Sequence, residues 1–146
     1  MLPASVVMYD PNRDLALLAV AGLGETPLPL TSPQVGGTGA VFGHPRGQDQ
    51  IAVNPARVSV EEDAVGPDIY GNHDVKRAIL VLAAALAHGD SGGALVNTTG
   101  QVVGVAFAIS ADSSGTAYAL NSSELQHALA APRQPSASTG ACLTSG

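Results

Sequence analysis

The chain has 146 residues, of which 45% are hydrophobic, with a net charge of −6 and only 12% charged residues. That is enough for one domain with a real core and too apolar for a chain disordered by composition. With an acidic balance and no basic patch, the electrostatic attraction that drives nucleic-acid binding is missing, and a nucleic-acid partner is not expected.

Seventeen Gly and ten Pro punctuate short runs of Val, Ile, Ala and Leu, the pattern of an all-β domain. Aromatic residues make up only 3%, so the core must be built from small aliphatic side chains. The longest apolar stretch, Ala78 to Ala87, is too short to cross a bilayer. Met1-Leu2-Pro3-Ala4-Ser5 lacks the basic and apolar regions of a signal peptide, so no export signal or membrane anchor is expected within these residues.

In chain order, Ser5 to Tyr9 and Leu15 to Val20 read as strands joined by the turn Asp10-Pro11-Asn12-Arg13. Gly22 to Gly37, with three prolines, reads as a linking loop. Thr38 to Gly43 is a strand closed by the turn Gly43-His44-Pro45-Arg46-Gly47, and Gln50 to Val60 alternates as a strand. Glu61 to Asp74 is polar with turn signals at Gly66-Pro67 and Gly71-Asn72, and is expected to be a surface loop. Ala78 to Leu82 is a strand running on into Ala83 to His88. Ala94 to Asn97 and Gln101 to Ile109 form a hairpin around Thr98-Thr99-Gly100, and Thr116 to Leu120 is the last strand.

Asn121 to Ala131 is the one helix, with Asn121 as its cap, Glu124 as the reciprocal partner of a capping box, and Leu125, Ala128 and Leu129 on one apolar face. From Pro132 the composition is that of a loose tail. Cys142, the only cysteine, lies in that tail, where either a missing partner or an incidental thiol would account for it.

Gly89-Asp90-Ser91-Gly92-Gly93 carries chemistry. A serine alcohol attacks a carbonyl only when a base takes its proton, and the oxygen that becomes negative needs two N–H groups aimed at one point. A tight turn around Ser91 supplies them, from Gly89 and from Ser91 itself. Glycine at 89 allows a backbone angle that other residues avoid. An ordinary Gly-rich turn is the bland alternative, but this one lies between two apolar strands.

This motif resembles that of the chymotrypsin-like serine proteases. Asn12-Arg13-Asp14-Leu15-Ala16-Leu17-Leu18 is similar to the family segment whose aspartate orients the catalytic histidine, which implies a triad role for Asp14. Ser5 to Asp14, the Gly43 to Gly47 turn, Gly66-Pro67-Asp68-Ile69-Tyr70-Gly71 and Thr139-Gly140-Ala141-Cys142 resemble the MarP-type acid-resistance periplasmic proteases of actinobacteria.

The resemblance covers nearly the whole chain but only the C-terminal part of that family's protease domain. It implies an antiparallel β-barrel with a C-terminal helix, a membrane-anchored N-terminal region and a periplasmic site of action. Residues 1–30 would be a remnant of the first barrel, 31–131 the second barrel with its helix, and 132–146 a flexible tail. Cys142 would pair with a cysteine upstream of Met1.

In that fold the triad runs His, Asp, Ser, yet His44, His73, His88 and His127 all follow Asp14. His44 reads as a turn residue, His73 as solvated, His127 as a helix residue, and His88 as a lining of the substrate cleft. The catalytic histidine is therefore expected in the absent part of the first barrel. By resemblance the specificity pocket is based at Ala85 and walled by Phe107-Ala108-Ile109, with no acidic residue to pair with Lys or Arg. A small or apolar side chain is expected at the cleaved position.

Two functional expectations follow: a serine endopeptidase domain acting on protein or peptide substrates but inactive without its histidine, or a catalytically inactive remnant that binds peptides or proteins. No cluster of His, Cys and carboxylates has metal-ligand spacing, and no cofactor is expected.

Overall fold

The structure, a computed structural model, describes residues 2–141. Eight strands and one helix follow one another: β1 (Ala4–Asp10), β2 (Leu15–Val20), β3 (Thr38–Gly43), β4 (Ala52–Pro67), β5 (Asp74–Ala84), β6 (Ala94–Asn97), β7 (Val102–Ile109), β8 (Thr116–Asn121) and α1 (Ser122–Ala130). β1 and β2 form a separate two-stranded antiparallel sheet. The other six close into a barrel in the order β3-β4-β5-β8-β7-β6, every pair antiparallel. The all-β barrel with a C-terminal helix expected from the sequence is the fold observed.

The period-2 alternation of the strands fills the barrel. Leu80, Leu82 and Ala84 of β5 point inward with Val41, Val58, Leu95 and Val103, while Ala117 and Ala119 of the neighbouring β8 and Ala106 of β7 keep their part of the wall thin. Such small side chains suit a narrow barrel that leaves no space for aromatic rings. Gly39 sits at the β3–β6 seam, where a Cβ would stand 2.1 Å from the Val96 carbonyl oxygen. Only glycine lets the two strands meet there.

The stretch Glu61 to Asp74 is not a loop. β4 runs through to Pro67 and pairs with β5 from Glu61↔Leu80 to Pro67↔Asp74, so only the residues between these strands turn. The outer part of this ribbon is exposed, and nothing there forces apolar alternation. A strand solvated on both faces looks like loop composition. Its tip docks on the β1–β2 turn: the Ile69 N–H donates to the Pro11 carbonyl (3.2 Å), and Arg77 donates to the Asn12 carbonyl.

The helix starts where expected, with the Asn121 side chain accepting from the Ser123 N–H at 3.0 Å. Glu124 does not complete a capping box, because both of its oxygens are used elsewhere. The buried helix residues are Ser122, Glu124 and Ala128, whereas Leu129 of the expected apolar face is exposed. Beyond the helix, the Gln134 and Ala137 N–H groups donate to the carbonyls of Val7 and Val6, and the Tyr70 hydroxyl to that of Thr139. The segment that reads as a loose tail is thus tied along β1. Cys142 lies outside the described residues.

Leu80 is fully buried at the centre of the barrel core. Leu80→Ala should cost about 2–5 kcal/mol in urea unfolding, the range for a leucine deleted from a core that cannot collapse around the hole.

Candidate active site

The turn bearing Ser91 is held from two sides. The Arg46 N–H donates to the His88 carbonyl (2.6 Å) and the His44 N–H to the Gly89 carbonyl (3.3 Å), which fixes it to the short 3-10 turn Pro45–Gly47. The Gly92 N–H donates to the Ala106 carbonyl (2.8 Å), and the Ala106 N–H to the Gly93 carbonyl (2.9 Å), which fixes it to β7. Gly89 has φ 102°, and a Cβ there would lie 2.2 Å from the His44 oxygen. Asp90, 2% exposed, turns inward; its carboxylate accepts from the Ala87 N–H (2.9 Å) and the Asn54 side-chain amide (3.4 Å). No role for Asp90 or Asn54 was apparent in the sequence, although Asp90 lies within its strongest motif.

Ser91 is exposed at the rim, where its hydroxyl donates to the Phe107 carbonyl at 3.3 Å. The register of β7 on β8 slips between Ala106 and Ala108, which leaves Phe107 in a β-bulge. Bulges disrupt the ladder locally and re-aim backbone groups, and here the Phe107 carbonyl reaches the serine. Among the described residues, the Gly89 and Ser91 N–H groups donate no hydrogen bond. They are available to an incoming oxygen.

Asp14 and Ser91, distant in sequence, line one cavity of about 640 Å³ together with Leu17, Leu30, Phe107 and Leu125. Asp14 adopts φ 58°, a left-handed conformation that Asp and Asn tolerate better than most residues. Asp14 is exposed on one side, but partial desolvation of its carboxyl in the cavity raises it above the usual carboxylate range, and the charge of Arg77 pulls partly the other way.

Phe107 thus meets Ser91 and Asp14 in the cavity, whereas Ala85, His88 and Ala108 do not line it. His88 and Ala85 are exposed, and Ala108 is half-buried. None of the histidines lines the cavity either. The ring of His44 contacts the Gln48 carbonyl, that of His73 the Asn12 side chain, and His127 is exposed on the helix. Among the described residues, no group of three or more His, Cys, Asp or Glu could hold a metal ion, and no helix is long and apolar enough to cross a membrane.

The family model for the trypsin-like peptidase domain matches residues 1–105. Among curated proteins, serine protease Rv3671c of Mycobacterium tuberculosis is 38% identical over 97% of this chain. Serine protease PepD of the same organism is 33% identical over 73% of it. The chain spans only 36% and 24% of their lengths. The crystal structure of the Rv3671c protease in its active form superposes with a TM-score of 0.92 at 36% identity, covering 98% of this chain and 64% of that one. The inactive form gives 0.79 at 37% identity, covering 88% and 66%.

Gly89→Ala should distort the turn, through a forced positive φ costing roughly 1–3 kcal/mol together with the steric conflict at His44. A lowered melting temperature and displaced amide resonances of His44 to Gly47 would register it. Asp14→Asn should act in the opposite direction. A carboxyl whose folded pKa is raised costs the fold stability above its unfolded pKa, and that cost fades as pH falls and the group is protonated in both states. The asparagine variant should therefore melt higher than the parent at neutral pH, with the gain shrinking towards pH 3. Equal melting temperatures at pH 7 would contradict this.

Proposed function

This chain belongs to the trypsin-like peptidase family, and from that membership we propose that it carries the nucleophile, the triad carboxylate and the oxyanion amides of a serine endopeptidase. The observation that carries the reading is the meeting of Asp14 and Ser91 in one cavity. The unengaged Gly89 and Ser91 N–H groups and the close match to an active-form protease support it further.

In this reading Ser91 Oγ adds to the substrate carbonyl carbon as its proton passes to a histidine imidazole, which Asp14 holds in one tautomer. The carbonyl oxygen, now negative, accepts from Gly89 and Ser91 N–H. Collapse breaks the C–N bond, the imidazolium gives its proton to the leaving amine, and water later removes the acyl group from Ser91. The imidazole comes from a histidine outside these residues, since none of the four here lines the cavity. β1 and β2 are then the last hairpin of a first barrel, and residues 31–131 the second barrel.

Phe107 lines the cavity, and Ala85, Ala108 and His88, which do not, are assigned to the adjoining substrate cleft by the family resemblance alone; together they would favour a small or apolar side chain at the cleaved bond. Resemblance to the MarP-type proteases adds a periplasmic location, a membrane anchor and a Cys142 partner outside these residues, and service in acid resistance.

One observation favours the second reading, an inactive peptide- or protein-binding module. The Ser91 hydroxyl is committed to the Phe107 carbonyl rather than to a base. A fluorophosphonate probe and a casein assay separate the two, run on this chain and on a version extended upstream by a histidine-bearing first barrel. We expect the extended protein to label at Ser91 and cleave casein, Ser91→Ala to abolish both, and the present chain to react at least ~100-fold more slowly, since loss of a triad member leaves only residual catalysis. An extended protein that neither labels nor cleaves would leave the binding module as the function.

A further inference from the structure

Glu124 is an acidic residue only 8% exposed, on a helix that does not bear the nucleophile, and no step of the proposed chemistry uses it. Burying a carboxylate is costly unless its oxygens are paired. Here the two oxygens face different ways. Oε1 accepts the Ala78 N–H of β5 at 2.9 Å, and Oε2 accepts the Arg13 Nε–H at 2.9 Å. Arg13 in turn donates to Asp10 Oδ2 at 2.8 Å, and Asp10 Oδ1 accepts the N–H groups of Asn12 and Arg13. One carboxylate therefore joins the helix, a barrel strand and the β1–β2 turn, and the next residue along that turn is Asp14.

β1 and β2 are not part of the barrel, so the position of Asp14 relative to Ser91 depends on contacts between the two sheets. The β4–β5 ribbon grips the front of the turn, at the Pro11 and Asn12 carbonyls. Glu124 grips its rear, at Arg13. A glutamate at this helix position could have capped its own helix, but here it reaches across to the turn and leaves the capping to Asn121.

We propose that Glu124, acting through Arg13, is a positioning residue that sets where Asp14 stands relative to Ser91. The proposal rests on the reading of Asp14 as the triad carboxylate. Removing the Glu124–Arg13 contact leaves the ribbon's grip on Pro11 and Asn12 in place, so the fold survives while Asp14, already exposed on one side, loses its place in the cavity beside Ser91.

The test uses the chain as it stands, with Glu124→Gln, Glu124→Ala and Arg13→Gln. The Asp14 carboxyl is titrated by ¹³C NMR, and amide hydrogen exchange is followed at Asn12 and Arg13, whose N–H groups bond to Asp10, beside Leu80 to Leu82 of the core. Arg77 and Tyr9 are the ionisable groups that interact with Asp14, and both remain in every variant. We expect the Asp14 titration to move down towards that of an ordinary aspartate as the carboxyl leaves the cavity. Exchange at Asn12 and Arg13 should quicken at least ~10-fold relative to the core amides. Arg13→Lys, which keeps a cation opposite Glu124, should recover part of both changes.

If the Glu124 variants do not fold, Arg13→Gln releases the same contact from its other end and decides the matter. An unmoved Asp14 titration, or exchange that quickens equally at all these amides, overturns the proposal. Failure of the triad reading appears elsewhere: Asp14→Asn in the extended protease would then leave Ser91 labelling unchanged.

Discussion

At the seam between β3 and β6, Gly39 lets the two strands approach closely enough for the sheet to close, with the Val96 carbonyl where a side chain would otherwise stand. Closure leaves the barrel strands with hydrogen-bonded neighbours on both sides and a narrow interior, which Leu, Val and Ala fill without aromatic residues. With the wall fixed in this way, irregularity is confined to the rim. The turn bearing Ser91 departs between β5 and β6, the bulge at Phe107 sits opposite it, and the 3-10 turn after β3 supports it from behind. Ser91 owes its position to two strand connections, one bulge within β7, and a barrel that lets none of them drift.

The first two strands are held differently. They share no sheet with the barrel, and their place comes from polar contacts along one short turn, from the helix packed beside β2, and from the post-helix segment bonded to β1. The barrel is thus a rigid platform for Ser91 and Gly89, while Asp14 is carried on a separate piece docked against it. Asp14 also keeps a carboxyl that burial disfavours as an anion. Such a shift accords with the triad role proposed for Asp14, since groups whose charge is disfavoured by their surroundings cluster at functional sites.

The barrel was legible in the sequence because its strands are bounded by Gly and Pro and alternate against a single core. The turn around Ser91 and Gly89 was legible because its signal is packed into five consecutive residues. The outer β4–β5 ribbon was not, since Glu61, Glu62 and Asp63 face water and follow no burial pattern. Glu124 was read as a capping residue because local spacing favours that use, and its true partners, Arg13 and Ala78, become neighbours only when the chain folds back on itself. Asn54 and Asp90 were silent for the same reason. Sequence pattern reports local periodicity well, and it does not report which distant backbone group a side chain will meet.

The segment after the helix lies along β1, with Gln134 and Ala137 bonded to carbonyls of Val7 and Val6. This joins almost the first described residues to almost the last. Carbonyls that would otherwise stand open on a two-stranded sheet are thereby already engaged within the molecule. An unpaired strand edge invites pairing with another chain, so the segment also guards this part of β1 against edge-to-edge association.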